Sequence, residues 1–505
     1  MTRAGIQRLL ITAAAVLALE ASCRLGYVGR GTMIPPSEML AELVRLMGTD
    51  GFWSQIGFTL RNILAAAVAA MVAGFAGGVA LHALPRVRRA VEPLIASYYA
   101  LPFFVLYPLF IVLLGMNALP IIAMGFLYAV MAMVTATLSG LDRIPPVLRK
   151  VGRTYRLDRV QDALLIQLPA AGPHIFTGVK LALSYSVTGV IGAEFILAGS
   201  GLGYSIAFAY NNLQDRTMYA LLLFVVVFVS SLTVLLHWAE QRVRHRSGAG
   251  RVGAARDTAG GGEKLVAAAV IALLILGGWQ LFHGLAGDEA LASPAVTLNR
   301  LMVLFGNPSF WENVAETAKA LGLSLLISCI GGGLAGVLIG ANRSLSDVLE
   351  PLFVTLYAIP KVTLYPVILL LFGLGMPAKV AFGTLHGFIP MMLVTMGAIR
   401  AMNPVLRRSA RAMRLTWMQT LTAILVPATV PEIVTGLRIS FSITLLGVMV
   451  GEMFASKRGL GFMIMNGISV NDTATMMSVT VLIGLFALVV NSALLALDNR
   501  MHRVA

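Results

Sequence analysis

Charged residues are scarce in this chain of 505 residues: 12% are Asp, Glu, Lys or Arg, against 58% hydrophobic residues. A soluble protein of this size needs about a quarter of its residues charged to cover its surface. The shortage excludes a cytosolic enzyme, a nucleic-acid-binding protein and a secreted disulfide scaffold. Two cysteines, Cys23 and Cys329, lie far apart in or beside apolar stretches and give no disulfide framework. Seven histidines are scattered without metal-ligand spacing, so no catalytic cluster and no metal site is expected. The chain lacks any Gly-x-x-x-x-Gly-Lys-Ser/Thr sequence, so no ATP site of that kind and no cofactor is expected. What is there is apolar length. Mean hydropathy is +0.84, and that much apolar surface needs lipid as solvent.

The net charge of +15 sits in short basic clusters between apolar runs, the pattern of the positive-inside rule rather than of nucleic-acid binding. Arg3 and Arg8 precede the first apolar run, as in a signal peptide, but no persuasive small-residue cleavage site follows. The run reads as a retained first span.

The chain contains itself twice. Trp53, Glu92-Pro93-Leu94, Tyr107-Pro108, Pro169, Pro173, Gly178, Glu194 and Gly201-Leu202-Gly203 all recur 258 residues later. The second set is Trp311, Glu350-Pro351-Leu352, Tyr365-Pro366, Pro427, Pro431, Gly436, Glu452 and Gly459-Leu460-Gly461. Roughly a third of positions between Glu92 and Gly203 match their counterparts. The chain is therefore read as a tandem duplication of one membrane module.

Runs of about 20 apolar residues cross about 30 Å of hydrocarbon. Spans are expected near 6–24, 57–82, 93–114, 120–140, 175–197 and 218–238, then near 265–283, 315–340, 351–372, 378–398, 433–454 and 476–497. The expected fold is an all-α polytopic membrane protein of about twelve transmembrane helices in two parallel repeats. Module one covers 1–240, a Gly/Ala/Arg-rich flexible linker covers 241–263, and module two covers 264–505. Arg86, Arg88 and Arg89, the cluster from Arg143 to Arg159, and Arg242, Arg244 and Arg246 follow even-numbered spans. That places both termini in the cytoplasm and keeps the modules parallel.

The loop after span four, about 141–173 and again about 399–431, is long for a compact membrane protein. Its pattern is helical, amphipathic and basic, punctuated by Pro169 and Pro173. Two readings stand: a helix that docks into a groove on a soluble partner, or one that rests on anionic lipid.

This loop resembles the EAA loop of ABC-importer permeases, with Ile166, Leu168 and Pro169, and again Ile424 and Pro427, at the motif's end. Pro360 to Pro366, Phe372-Gly373-Leu374-Gly375, Thr435-Gly436-Leu437-Arg438, Glu452 and Gly459-Leu460-Gly461 are similar to the nitrate/sulfonate/taurine branch, and module one repeats the series more loosely. The resemblance covers nearly the whole chain. It implies the type I ABC-importer permease fold in a bacterial inner membrane. It also implies two ABC ATPase subunits that hydrolyse ATP and a periplasmic binding protein that delivers a small solute, sulfonate-, taurine- or nitrate-like, or a vitamin precursor such as a pyrimidine or riboflavin. Arg149, Arg153, Arg156, Leu157 and Pro169, with Arg407, Arg411, Arg414, Leu415 and Pro427, would then couple to the ATPases.

The motif's Glu position holds Lys150 and Arg408, and its Gly position holds Arg156 and Arg414. Arginine takes a positive φ only at a cost. Either the turn differs, or these arginines contact acidic groups of the ATPase, or they reach lipid headgroups. Glu194 and Glu452, carboxylates at a span, are candidates for a gate in the translocation path; the competing reading is that each accepts backbone N–H groups of the glycine turn. Tyr99, Tyr107, Tyr357 and Tyr365 recur on span three and are candidates for the path or for packing. Lys361 and His386 stand where module one has Phe103 and Tyr128, so a path lined by Lys361 would favour an anion. The alternatives are a twelve-span major-facilitator carrier, whose basic motif between spans two and three has only Pro85-Arg86-Val87-Arg88-Arg89 and Asn342-Arg343 to offer, and a membrane enzyme or scaffold.

Overall fold

The computed structural model describes residues 3–29, 31–246, 261–287 and 291–504. Among these, all regular structure is helical. Nine helices are long and apolar enough to cross a membrane, and one bent pair makes a tenth. The counterpart of that pair in the first half and the helix Gly261–Ala286 bring the pattern to about twelve.

The repeat is kept to within one residue at the ends of these spans. Span two is Asp50–Ala83 in the first half and runs from Pro308 to Ala341 in the second; span four is Ala118–Asp142 and Met376–Ala401; span five is Leu168–Leu197 and Val426–Ala455; span six is Asp215–Arg246 and Thr473–Val504. Short helices that the hydropathy pattern did not reveal fill the rest. Pro36–Met47 and Pro294–Phe305 precede span two, and Leu202–Asn211 and Leu460–Ser469 follow the glycine turns. The segment 241–263 is helical at both edges, since span six reaches Arg246 and the next helix opens at Gly261; residues 247–260 of the expected linker lie outside the described set.

Spans two and four cross where small residues let the backbones meet. A Cβ on Gly74 would lie 2.6 Å from Met133 Cβ, and one on Gly332 would lie 2.7 Å from the Phe388 carbonyl. The Gly331-Gly332-Gly333 run is thus a packing notch.

Span three corrects the sequence reading of one continuous helix at 93–114 and 351–372. In the second half Arg343–Ala358 and Lys361–Phe372 meet at 87°. In the first half the helix Pro85–Ser97 ends before the short turns Tyr98–Ala100 and Phe103–Leu106 and the helix Tyr107–Leu114. Pro102 and Pro360 stand at the break, where proline removes a helical N–H. The break sends the turn Phe103–Leu106 against span five of the second half, and Lys361–Leu364 against span five of the first. Phe195 and Phe454 meet edge-on across the junction at 5.2 Å, and one buried apolar cluster joins residues of both halves. Each first span, Arg3–Arg24 and Gly261–Ala286, lies against the lead-in helix of the other half's span three, and Arg8 Nη2 donates to the Asp347 carbonyl at 2.6 Å.

Ion pairs tie each half together, and two of them invert their sign between the halves. Arg88 on the lead-in helix binds Asp142 on span four at 2.6 Å. At the matching place Arg400 on span four binds Asp347 at 2.8 Å and also Glu350. At the opposite end Glu38 and Glu42 face Arg216 and Thr217, whereas Arg300 binds Asp472 at 2.7 Å. Arg45 holds the Glu42 carboxyl below the usual carboxylate range. Partial burial raises that of Asp472, but bonds from Thr475 and Arg300 outweigh it and hold it low. A helix paired with the wrong half would meet its own sign of charge. Arg400→Glu should therefore lower the stability of the purified chain by about 1 kcal/mol for so exposed a pair, read as a lower thermal midpoint, and Asp347→Arg in the same chain should recover it. An unchanged midpoint in Arg400→Glu would remove the role.

Candidate translocation site and coupling surface

The Gly-Leu-Gly turns are built around their buried carboxylates. Glu194 and Glu452 have no exposed surface. Gly201 and Gly459 sit at φ +109 and +122, open only to glycine, and a Cβ on either would lie 2.2 Å from the glutamate Cδ. Thr59 Oγ1 donates to Glu194 Oε2 at 2.8 Å and accepts the Leu202 N–H at 2.8 Å. The Gly203 N–H also donates to Oε2, at 3.2 Å. In the second half Thr317 donates to Glu452 Oε2 at 2.8 Å, and Leu460 N–H donates to Thr317 at 2.9 Å. Gly461 N–H donates to Glu452 Oε2 at 3.0 Å. Gln55 and Asn313 accept from Gly201 and Gly459. The carboxylate thus fixes the start of the short helix that follows, and in this conformation neither glutamate is open to a solute.

The four tyrosines separate into two kinds. Tyr107 and Tyr365 are buried, and Tyr365 Oη donates to the Gly451 carbonyl at 2.7 Å. Tyr99 and Tyr357 lie at the junction. The Tyr99 ring is 5.8 Å from Tyr185 of span five, and Tyr185 is within electrostatic reach of Tyr357. Lys361 folds back there: its Nζ donates to the Tyr357 carbonyl at 3.2 Å and lies 4.2 Å over the Tyr357 ring. His386 is beside it and contacts Phe382 edge-on at 4.6 Å. The junction so gathers hydroxyls from both halves and a cation from one. Its asymmetry is packed with complementary bulk: Phe104 fills the notch at Gly192, where a Cβ would lie 2.2 Å from the ring, and the second half has Val362 and Val450 at these places.

The candidate coupling loops are helical for most of their length. Each is one short helix, Pro146–Thr154 or Pro404–Ala412, then a tight turn, then the extended foot of span five. Arg156 and Arg414 stand in the turns at φ +52 and +50. Of the alternatives for these positions, a turn that avoids positive φ is therefore set aside. Leu157 N–H reaches the Gly152 carbonyl and Leu415 N–H the Ala410 carbonyl, both at 3.1 Å, the closing bond of a Schellman turn. Asp158 with Gln161, and Thr416 with Gln419, then form reciprocal caps on the next helix. A π-turn precedes Pro169 and Pro427, with Leu168 N–H bonded to the Ala163 carbonyl and Val426 N–H to that of Leu421; the wider turn accommodates the missing proline N–H.

Arg153, Arg156 and Arg414 are exposed, as are Pro169 and Pro427, and Leu157 and Leu415 are half-buried beneath them. The side chains of Arg149, Arg407 and Arg411 lie outside the described set. Val147, Tyr155 and Val160, and Val405, Met413 and Trp417, present apolar surface beside the arginines.

Sequence reasoning missed Thr59, Thr317, Tyr185 and Lys379. The threonines keep the 258-residue offset and were within reach of the repeat alignment. Lys379 is a cation inside an apolar span, itself a signal of function.

Comparison with known proteins gives the same two units. The family described as binding-protein-dependent transport system inner membrane component matches residues 69–245 and again 332–503. A taurine transport system permease protein of Escherichia coli (strain K12) is 24% identical over 216 residues, 42% of this chain and 78% of the relative. A nitrate import permease protein of Leptolyngbya laminosa is 24% identical over 240 residues, 46% of this chain and 85% of the relative. A formylaminopyrimidine transport permease protein of Halalkalibacterium halodurans is 26% identical over 190 residues, 38% of this chain and 76% of the relative.

Proposed function

This chain belongs to the family of binding-protein-dependent transport system inner membrane components, and from that premise we propose that it is the permease of an ATP-driven importer with both halves of the pore in one chain. Two separate ATPase subunits hydrolyse ATP and press on the helices Pro146–Thr154 and Pro404–Ala412. A periplasmic binding protein delivers the solute at the end of the molecule that carries the glycine turns. The chain spans the bacterial inner membrane with both termini in the cytoplasm. The observation that carries the reading is the pair of exposed, basic coupling helices, built alike to the residue and closed by an arginine at positive φ in both halves. The major-facilitator alternative falls to the family match, which covers both halves.

The solute is a small anion. Lys361 at the junction of the halves supports this, and so do relatives named for taurine and nitrate. A vitamin precursor is the second reading, favoured by the relative named for formylaminopyrimidine. Lys361→Met separates the two. Uptake of an anion should fall about tenfold or more on losing one cation from a dry site, with the thermal midpoint unchanged. Undiminished uptake would remove the anionic reading.

Co-expression with a candidate ABC ATPase subunit, followed by native mass spectrometry, tests the assembly. One permease chain with two ATPases is expected. No retained ATPase, with uptake that survives ATP depletion but is lost on collapse of the proton gradient, would mean a secondary carrier.

A further inference from the structure

The first half has an apolar groove of about 550 Å³ at the end that bears its coupling loop. Phe75 and Ala76 of span two form one wall, Leu168 and Gly172 at the foot of span five form the other, and buried Met133 of span four is the floor. Its rim residues Val72 and Leu168 are 66% and 40% exposed, so the groove opens on the outer surface of the bundle. Gly172 keeps it open. A Cβ there would meet nothing within 4 Å, so no packing contact calls for a glycine inside this helix, where glycine costs stability. In the second half Val430 and Leu334 stand at the places of Gly172 and Ala76. Two arginines stand at the same end of the bundle. Arg86 opens the lead-in helix after span two and Arg143 caps span four, and the 2.6 Å bond between Arg88 and Asp142 ties these two ends together. Arg86 and Arg143 are exposed, and neither has a carboxylate partner among the described residues. Their counterparts in the second half are Ser344 and Ala401. The small residues that open the groove and the two free cations thus occur together in one half and are replaced together in the other.

Lipid tails are as apolar as the groove, so depth alone brings an acyl chain to it and only a headgroup can make the site selective. Arg143 lies ten residues beyond Met133, about 15 Å along the helix, and one leaflet contributes half of about 30 Å of hydrocarbon. A phospholipid whose phosphate meets Arg86 and Arg143 therefore has a chain that reaches the floor of the groove. Basic sites between helices at the cytoplasmic surface suit anionic headgroups. We propose that the first half holds one anionic phospholipid here, with one acyl chain in the groove and its headgroup on Arg86 and Arg143. The apolar lining offers no partner for the polar groups of a peptide backbone, which sets the groove apart from a docking site for another chain. Such a site needs neither an ATPase nor a binding protein, so it stands or falls separately from the importer reading, on the purified chain alone.

Native mass spectrometry of the purified full chain, with phosphatidylglycerol and phosphatidylcholine of the same acyl chains, reads the site. About one phosphatidylglycerol per chain should survive activation that strips phosphatidylcholine. Gly172→Val places the second half's residue in the groove, and Arg86→Gln with Arg143→Gln removes the charges. Each variant should lower retention by about fivefold or more, with helix content unchanged by circular dichroism. Phosphatidylglycerol with a photoreactive diazirine on its acyl chain is the second measurement and needs no variant. Its cross-links should fall in segments 71–76 and 168–175 rather than in the matching segments of the second half. Equal retention of the two lipids, or cross-links spread evenly over both halves, would overturn the proposal. Loss in only one of the two variants would overturn it as well, and would leave either a headgroup adsorbed on the basic rim or an acyl slot without regard to charge.

Discussion

Gly459→Ala is expected to abolish uptake and to lower the stability of the purified chain by about 4 kcal/mol, the sum of a backbone forced into a glycine-only region and a crowded core. Both terms come from one place. The φ of +122 excludes a side chain, and the new Cβ would stand 2.2 Å from Glu452 Cδ and 2.3 and 2.4 Å from its two oxygens. The carboxylate cannot yield easily, because Thr317 and the Gly461 N–H hold it. Moving it would strip the Leu460 N–H of the Thr317 oxygen it depends on. Gly201→Ala should behave alike, with φ +109 and the same 2.2 Å approach to Glu194. Gly199→Ala is the control: a Cβ there meets nothing within 4 Å, and uptake should stay at the wild-type level. Melting curves and uptake on the three variants decide the matter. A Gly459→Ala chain that transports and melts like wild type would mean that the turn is soft and the carboxylate does not define it.

These turns also mark how far the sequence could be read. The recurrence of Glu and Gly-Leu-Gly at one offset was enough to locate the turns and to raise the reading in which the carboxylate holds the backbone. It could not supply the threonine, because Thr59 and Thr317 sit 135 residues from their glutamates and nothing local announces the pairing. Span three was misread for a different reason. Hydropathy is blind to a right-angle bend, and only Pro102 and Pro360 betrayed it. The four tyrosines looked equivalent by offset, yet Tyr99 and Tyr357 stay partly exposed whereas Tyr107 and Tyr365 are buried. The inverted ion pairs follow the same logic: the repeat defines the positions, and only the packed helices show that Asp142 and Arg400 perform one task with opposite charge.

Arg156 and Arg414 give the second large effect, on assembly rather than on folding. A left-handed arginine costs about 1 kcal/mol more than glycine at the same φ, and the chain carries that strain in both halves. Neither guanidinium has a carboxylate partner among the described residues, and both are exposed beside the apolar residues of the coupling helices. If each makes charge-assisted bonds to an acidic groove of an ATPase, at about 1.5–3 kcal/mol apiece, Arg156→Glu with Arg414→Glu should eliminate co-purification of the ATPases and ATP-driven uptake. Arg156→Gly with Arg414→Gly is the sharper variant. It relieves the backbone, so the isolated permease should melt slightly higher, while ATPase retention falls at least tenfold. Stability and assembly would then move in opposite directions, which a merely structural role for the arginines cannot produce. Undiminished ATPase retention in the Glu pair would assign both side chains to lipid headgroups and leave the docking to the apolar residues beside them.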